Sequence, residues 1–141
     1  MKKILIVMSI ILVAVVAYSF AGVTPPVAVT NAFKAKFPTA KEVKWGMENK
    51  TEYEANFEMD GKDCSANFKS DGTWTVTESA VDQKDLPTGV MEYINKNVPG
   101  AVIKETAKLE MPDGVNYEVE IKGSDYIFDS TGKFIKSGED D

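Results

Sequence analysis

Apolar and polar residues along this chain follow two rhythms, and the switch between them predicts the elements. From Val27 to Phe37, the positions Val29, Ala32, Phe33 and Phe37, together with the stem of Lys36, recur every three or four residues, the mark of an amphipathic helix. Thr24 is the expected cap, with Pro25 and Pro26 in the first turn, and Pro38 is the stop because the residue before a proline disfavours helix. The period then drops to two. Val43, Trp45 and Met47 alternate with polar neighbours, and so do Tyr53, Ala55, Phe57 and Met59. Cys64, Ala66 and Phe68 follow, then Trp74 and Val76, with hairpin turns at Asp60-Gly61 and Ser70-Asp71-Gly72.

The same succession then returns. A helix starting at Asp85 or Thr88 places Val90, Ile94 and Val98 on one face and ends at Pro99-Gly100. Ala107, Leu109 and Met111 lead into a Pro112-Asp113-Gly114 turn. Tyr117, Val119 and Ile121, then Tyr126 and Phe128, then Phe134, complete the alternation, with turns at Gly123 and Gly132. Matching landmarks lie about sixty residues apart and in the same order, which implies a tandem duplication of an α-β-β-β-β unit, with repeats at 24–80 and 84–138. A unit of about 55 residues is marginal alone, and an alternating strand is dry on one face only. The expected fold is therefore α+β: a single domain over residues 22–141, with two helices packed on one face of a joined antiparallel sheet.

Ahead of this domain, Lys2 and Lys3 precede an apolar run from Ile4 to Ala17 broken only by Ser9, and Ser19-Phe20-Ala21 follows. This pattern reads as a signal peptide over residues 1–21, cleaved after Ala21. An uncleaved anchor is the alternative, since the run is near the shortest length that spans a bilayer. A lipoprotein is disfavoured because Gly22, not a cysteine, follows the cut. The expected location is periplasmic or secreted, with no membrane association after cleavage.

Composition narrows the chemistry. The 16 basic residues are all lysine, there is no histidine, and 22 acids give the chain a formal charge of −6. Without imidazole, the usual serine and cysteine hydrolase arrangements have no base, and one cysteine without histidine cannot build the common zinc sites. Without arginine there is no bidentate clamp for phosphate or carboxylate. An acidic surface repels nucleic acid. Cys64 can form no disulfide within the chain, and its place in an alternating apolar run makes it a small core residue. The acidic turns Asp60-Gly61-Lys62-Asp63 and Asp71-Gly72 lack the ligand spacing of a calcium loop. No cofactor or metal is expected, and the acidic tail Gly138-Glu139-Asp140-Asp141 reads as a solvated end.

Several of these landmarks also carry a resemblance. Leu86-Pro87 opens the second helix and Val98-Pro99-Gly100 closes it, while Phe68-Lys69-Ser70-Asp71-Gly72-Thr73-Trp74 and Phe128-Asp129-Ser130-Thr131-Gly132-Lys133-Phe134 form matching hairpins. In these features the chain resembles the PepSY-like, β-lactamase-inhibitor-like family of exported bacterial proteins. The resemblance implies the fold of the β-lactamase inhibitory protein, whose exposed sheet face grips a partner protein, and hence a non-enzymatic binding module. The chain departs from that inhibitor in having no paired cysteines and few aromatic residues on the face expected to be wet.

The expected binding residues on that wet face are Lys44, Glu54, Asn56 and Asn67 in the first unit. Thr75, Lys108, Glu118 and Glu120 continue it toward the second. Alternation alone would yield the same residues as a solvated surface. Trp45 and Trp74 fall in phase with apolar neighbours and are assigned to the core. The expected partner is a protein or peptide of the cell envelope, met by a monomer. Two other classes remain. One is a hydrolase built on carboxylate pairs such as Glu52 with Glu54 or Glu118 with Glu120, about 6.5–7 Å apart on one strand face. A flat solvated face would not raise either pKa, which argues against an enzyme. The other is a structural or chaperone-like envelope protein with no discrete site.

Overall fold

A computed structural model describes residues 22–139, so the expected signal peptide and the last two residues of the tail lie outside it. Helix α1 (Val27–Lys36) is followed by β1 (Lys41–Met47), β2 (Glu52–Met59), β3 (Lys62–Lys69) and β4 (Trp74–Ala80). After a short 3-10 turn at Gln83–Asp85, helix α2 (Thr88–Asn97) leads into β5 (Ile103–Met111), β6 (Gly114–Ile121), β7 (Ser124–Asp129) and β8 (Phe134–Glu139). All eight strands form one antiparallel sheet in sequence order, from β1 at one edge to β8 at the other. The two halves thus present the same order of elements.

Both helices start one residue after a proline, with Pro26 and Pro87 at the N-cap positions and no side-chain cap. Thr24 therefore stands outside α1, whereas α2 opens at Thr88, the second of the two starts expected for it, and leaves Asp85 outside. A proline fits here because the N–H it lacks would have had no intrahelical partner. Each helix docks by its first turn onto the hairpin turn that closes its own half. A Cβ on Gly72 would meet the carbonyl oxygen of Ala28 at 2.7 Å, and one on Gly89 would meet that of Gly132 at 2.8 Å. Only glycine lets the backbones approach this closely.

Two cores lie under the helices. The first gathers Val29, Phe33 and Phe37 of α1 against Ala55, Phe57, Cys64, Ala66 and Phe68. Phe33 meets Phe57 edge to face at 5.0 Å between ring centroids. Trp45 and Trp74 pack at the margin as expected, with the Lys36 ammonium 3.7 Å from the Trp74 ring centroid. The second core packs Leu86, Val90 and Ile94 against Val119, Ile121 and Phe128, and Tyr93 stacks on Phe134 at 4.3 Å.

Register corrects the expected faces at two places. A shift between Asn67 and Phe68 keeps Trp74 on the helix side opposite Phe68 but puts Val76 on the other side, opposite Asn67. A shift between Ile103 and Glu105 reverses the phase of β5. Lys108 therefore pairs with Ser79 and Tyr117 on the helix side, whereas Ala107 and Leu109 turn away from the helices. One extra residue in a ladder inverts every side chain beyond it. Val43 and Met47, on the edge strand β1, remain exposed.

Candidate functional site

The side of the sheet that carries no helix is where the acidic residues collect. Register sets them in rows that run across the strands. Lys44, Asn56, Ser65, Glu78 and Leu109 are successive neighbours from β1 to β5. Glu105, Glu120 and Asp125 form a second row from β5 to β7, and Ala107, Glu118 and Ile127 lie between them.

A flat sheet would leave this face wet, as the sequence led us to expect. Instead its centre is buried. Glu78 is 8% exposed, Glu118 5%, Glu120 2% and Asp125 6%, with Leu109 and Ile127 equally hidden. The register shifts in β1, β4, β5 and β8 add local twist, and eight twisted strands curl the helix-free side into a concavity. One cavity of about 290 Å³ is lined by residues from β1 through β5. Those strands would span roughly 19 Å if flat, so the sheet must bend around the space.

Charge in the cavity is strongly one-sided. Glu42, Glu58, Asp63, Glu78 and Glu105 face a single cation, Lys44. Ala80 supplies apolar wall, while Phe57 and Cys64 border the cavity at positions whose side chains turn to the core under α1. Glu78 has neither a hydrogen bond nor an ion pair among the described residues. Burial, reinforced by the negative charges of Glu105, Glu54, Asp125 and Glu48, pushes its pKa up to about 8. Burial also raises Glu105, with Glu120 adding repulsion and Lys104 opposing it. Glu48, just beyond β1, is raised to about 8 by burial and by the adjacent Glu54 and Glu52. Deeper in the face, Lys104 reaches Glu120 at 2.7 Å. Burial also raises the Cys64 thiol, which fits its role as core filler.

Of the residues expected to bind, Lys44, Glu54 and Asn56 lie together on the accessible rim, with Asn56 donating to Glu54 at 3.0 Å. Asn67, Glu118 and Glu120 are on the same face but buried. Thr75 donates its hydroxyl hydrogen to the carbonyl of Asn67 and is committed to the β4 irregularity. Lys108 lies on the opposite face, where it pairs with Glu110. The residue that reading the sequence missed is Glu78. Its neighbours Thr77 and Ser79 gave no sign that it stood on the floor of a cavity.

An open antiparallel sheet with helices on one side and a carboxylate-lined concavity on the other defines a class of helix-backed, single-sheet domain. The chain belongs to the family described as putative beta-lactamase-inhibitor-like, PepSY-like, whose model matches residues 51–136. Three solved structures show the same fold. A putative periplasmic protein from Bacteroides eggerthii is 20% identical with a TM-score of 0.75, covering 83% of this chain and 90% of its own. A DUF2874 family protein from Bacteroides ovatus is 23% identical with a TM-score of 0.75, covering 84% and 89%. A BLIP-like protein from Bacteroides fragilis is 21% identical with a TM-score of 0.72, also covering 84% and 89%. No curated protein matches the chain. Among the described residues, no helix is long and apolar enough to cross a membrane.

Proposed function

We propose that this protein is an exported, non-enzymatic binding module that receives a basic protein or peptide of the cell envelope on its helix-free face. The observation that carries this reading is the charge of the cavity, where five carboxylates face one lysine on a concave, uncovered surface. Such a surface attracts cationic segments and repels acidic ones. Lys44, Glu54 and Asn56 form the rim that fixes orientation. A photo-crosslinker at Asn56 is expected to capture one defined species in the native envelope, with yield falling as salt is raised, whereas one at the exposed Asn95 of α2 captures none. Identical products from both positions would overturn the reading.

The hydrolase alternative gains one observation, since Glu78 holds its proton near neutral pH as a general acid must. Acid–base pairs work when their two pKa values are driven apart. Here burial drives Glu78 and Glu105 in the same direction, so the site does not push an acid and a base apart. Binding therefore remains the better account of the geometry.

A further inference from the structure

Glu78 is a buried acid at the floor of an open cavity, and nothing in the described chain partners it. A carboxyl group in that position sacrifices hydration without compensation, unless a ligand supplies the missing donor. Among the described residues, no three candidate metal ligands converge, which favours an organic donor over a bare cation. Glu78 and Glu105 line the cavity from adjacent strands but not from one rung, since Glu78 lies opposite Leu109, so a donor between them must reach toward each in a different direction, as an ammonium can. A guanidinium fork is better matched by one carboxylate taken edge-on. Ala80 offers a small apolar surface for a methylene stem.

We propose that this cavity takes a lysine side chain of the partner, its ammonium held between Glu78 and Glu105 and its stem passing Ala80. The inference rests on the docking reading above and names the anchor within it. Binding is coupled to loss of the Glu78 proton, because a neutral acid offers the ammonium far less than a carboxylate does. The groups facing Glu78 are Glu105 from β5, Glu54 from β2, Asp125 from β7 and Glu48 beyond β1. Lys44, Glu58 and Asp63 share the cavity, and Lys104 acts on Glu105. The acids outnumber the lysines, so an arriving cation relieves repulsion and makes the proton easier to lose.

The test is titration of the purified protein with pentylamine, followed through backbone amide resonances at pH 6, 7 and 9. Saturable shifts are expected at Asn56, Glu78 and Glu105. Affinity should rise about tenfold from pH 6 to pH 7 and level off above pH 8. Glu78→Gln should weaken binding at least tenfold and remove the pH dependence, while Glu105→Gln weakens it less and leaves the pH dependence in place. Shifts no larger than those from 1-pentanol, an equal response to calcium chloride, tighter binding of pentylguanidine, or an unaffected Glu78→Gln would each overturn the lysine anchor. If crosslinking from Asn56 persists without ammonium binding, only the anchor falls. If ammonium binds but crosslinking does not discriminate between the faces, the docking reading falls by itself.

Discussion

Beneath α1, β2 and β3 bury Phe57, Ala66 and Phe68 against Phe33, ring to ring. On the reverse of the same strands and of β4 they bury Ser65, Asn67 and Glu78, with no element packed above. The first face is dry because a second layer covers it. Among the described residues the second is hidden by its own curvature, and while Glu120 is paired with Lys104 there, Glu78 loses water without a hydrogen bond or ion pair to its carboxyl. Burial alone therefore does not identify a core in a curled sheet. What covers the residue decides whether it stabilises the fold or stands ready for a ligand.

Substitutions should separate the two faces. The largest loss is expected for Phe68→Ala or Phe128→Ala, both fully buried under a helix, at about 3–5 kcal/mol by urea denaturation. Val76→Ala on the helix-free face should lose less than about 1.5 kcal/mol, and an equal loss would erase the contrast. Next comes Glu78→Gln, which should stabilise the protein at pH 9 by on the order of 2 kcal/mol. The sign follows from proton counting. Glu78 keeps its proton in the folded state to about pH 8 but loses it near the ordinary carboxyl value of 4.5 when unfolded, so the folded state binds more protons across that window. Its contribution to stability falls as pH rises from about 4.5 and levels off above 8, and urea midpoints measured across that range should slope less in the variant.

Smaller effects test finer parts of the comparison. Lys104→Met strips the 2.7 Å ion pair from a carboxylate that is 2% exposed, and about 1–2 kcal/mol should be lost. Lys84→Ala, which removes exposed ion pairs to Asp82 and Asp85, should leave the midpoint unchanged. Trp74→Phe gives up the indole donation to Thr77 at 2.9 Å and should lose about 1 kcal/mol, read from the same curves.

The helix-covered face was legible in the sequence because its signals are local. Val29, Phe33 and Phe37 recur at helical spacing, and Ala55 and Phe57 alternate, whatever the rest of the chain does. The paired hairpins were legible for the same reason, since Asp71 and Asp129 accept hydrogen bonds from backbone N–H groups of their own turns. The helix-free face was not. Its phase in β5 hangs on one extra residue between Ile103 and Glu105, which no change of residue type announces. Lys108 and Leu109 consequently exchanged faces relative to expectation. Concavity is less local still, because it accumulates from small rotations across many strands, and burial of Glu118 and Glu120 follows only from that sum.

The junction between β4 and β5 joins the halves through four paired positions, against eight between β5 and β6. On the helix side it presents Thr77, Ser79, Lys108 and Glu110, and neither core reaches across it. Mechanical load passing from one half to the other must cross this narrow ladder, and Glu78 is one of its rungs. Losing the Glu78 proton would set a buried charge on that ladder, so alkaline surroundings are expected to weaken the join between the halves, and a cation seated beside Glu78 to strengthen it again.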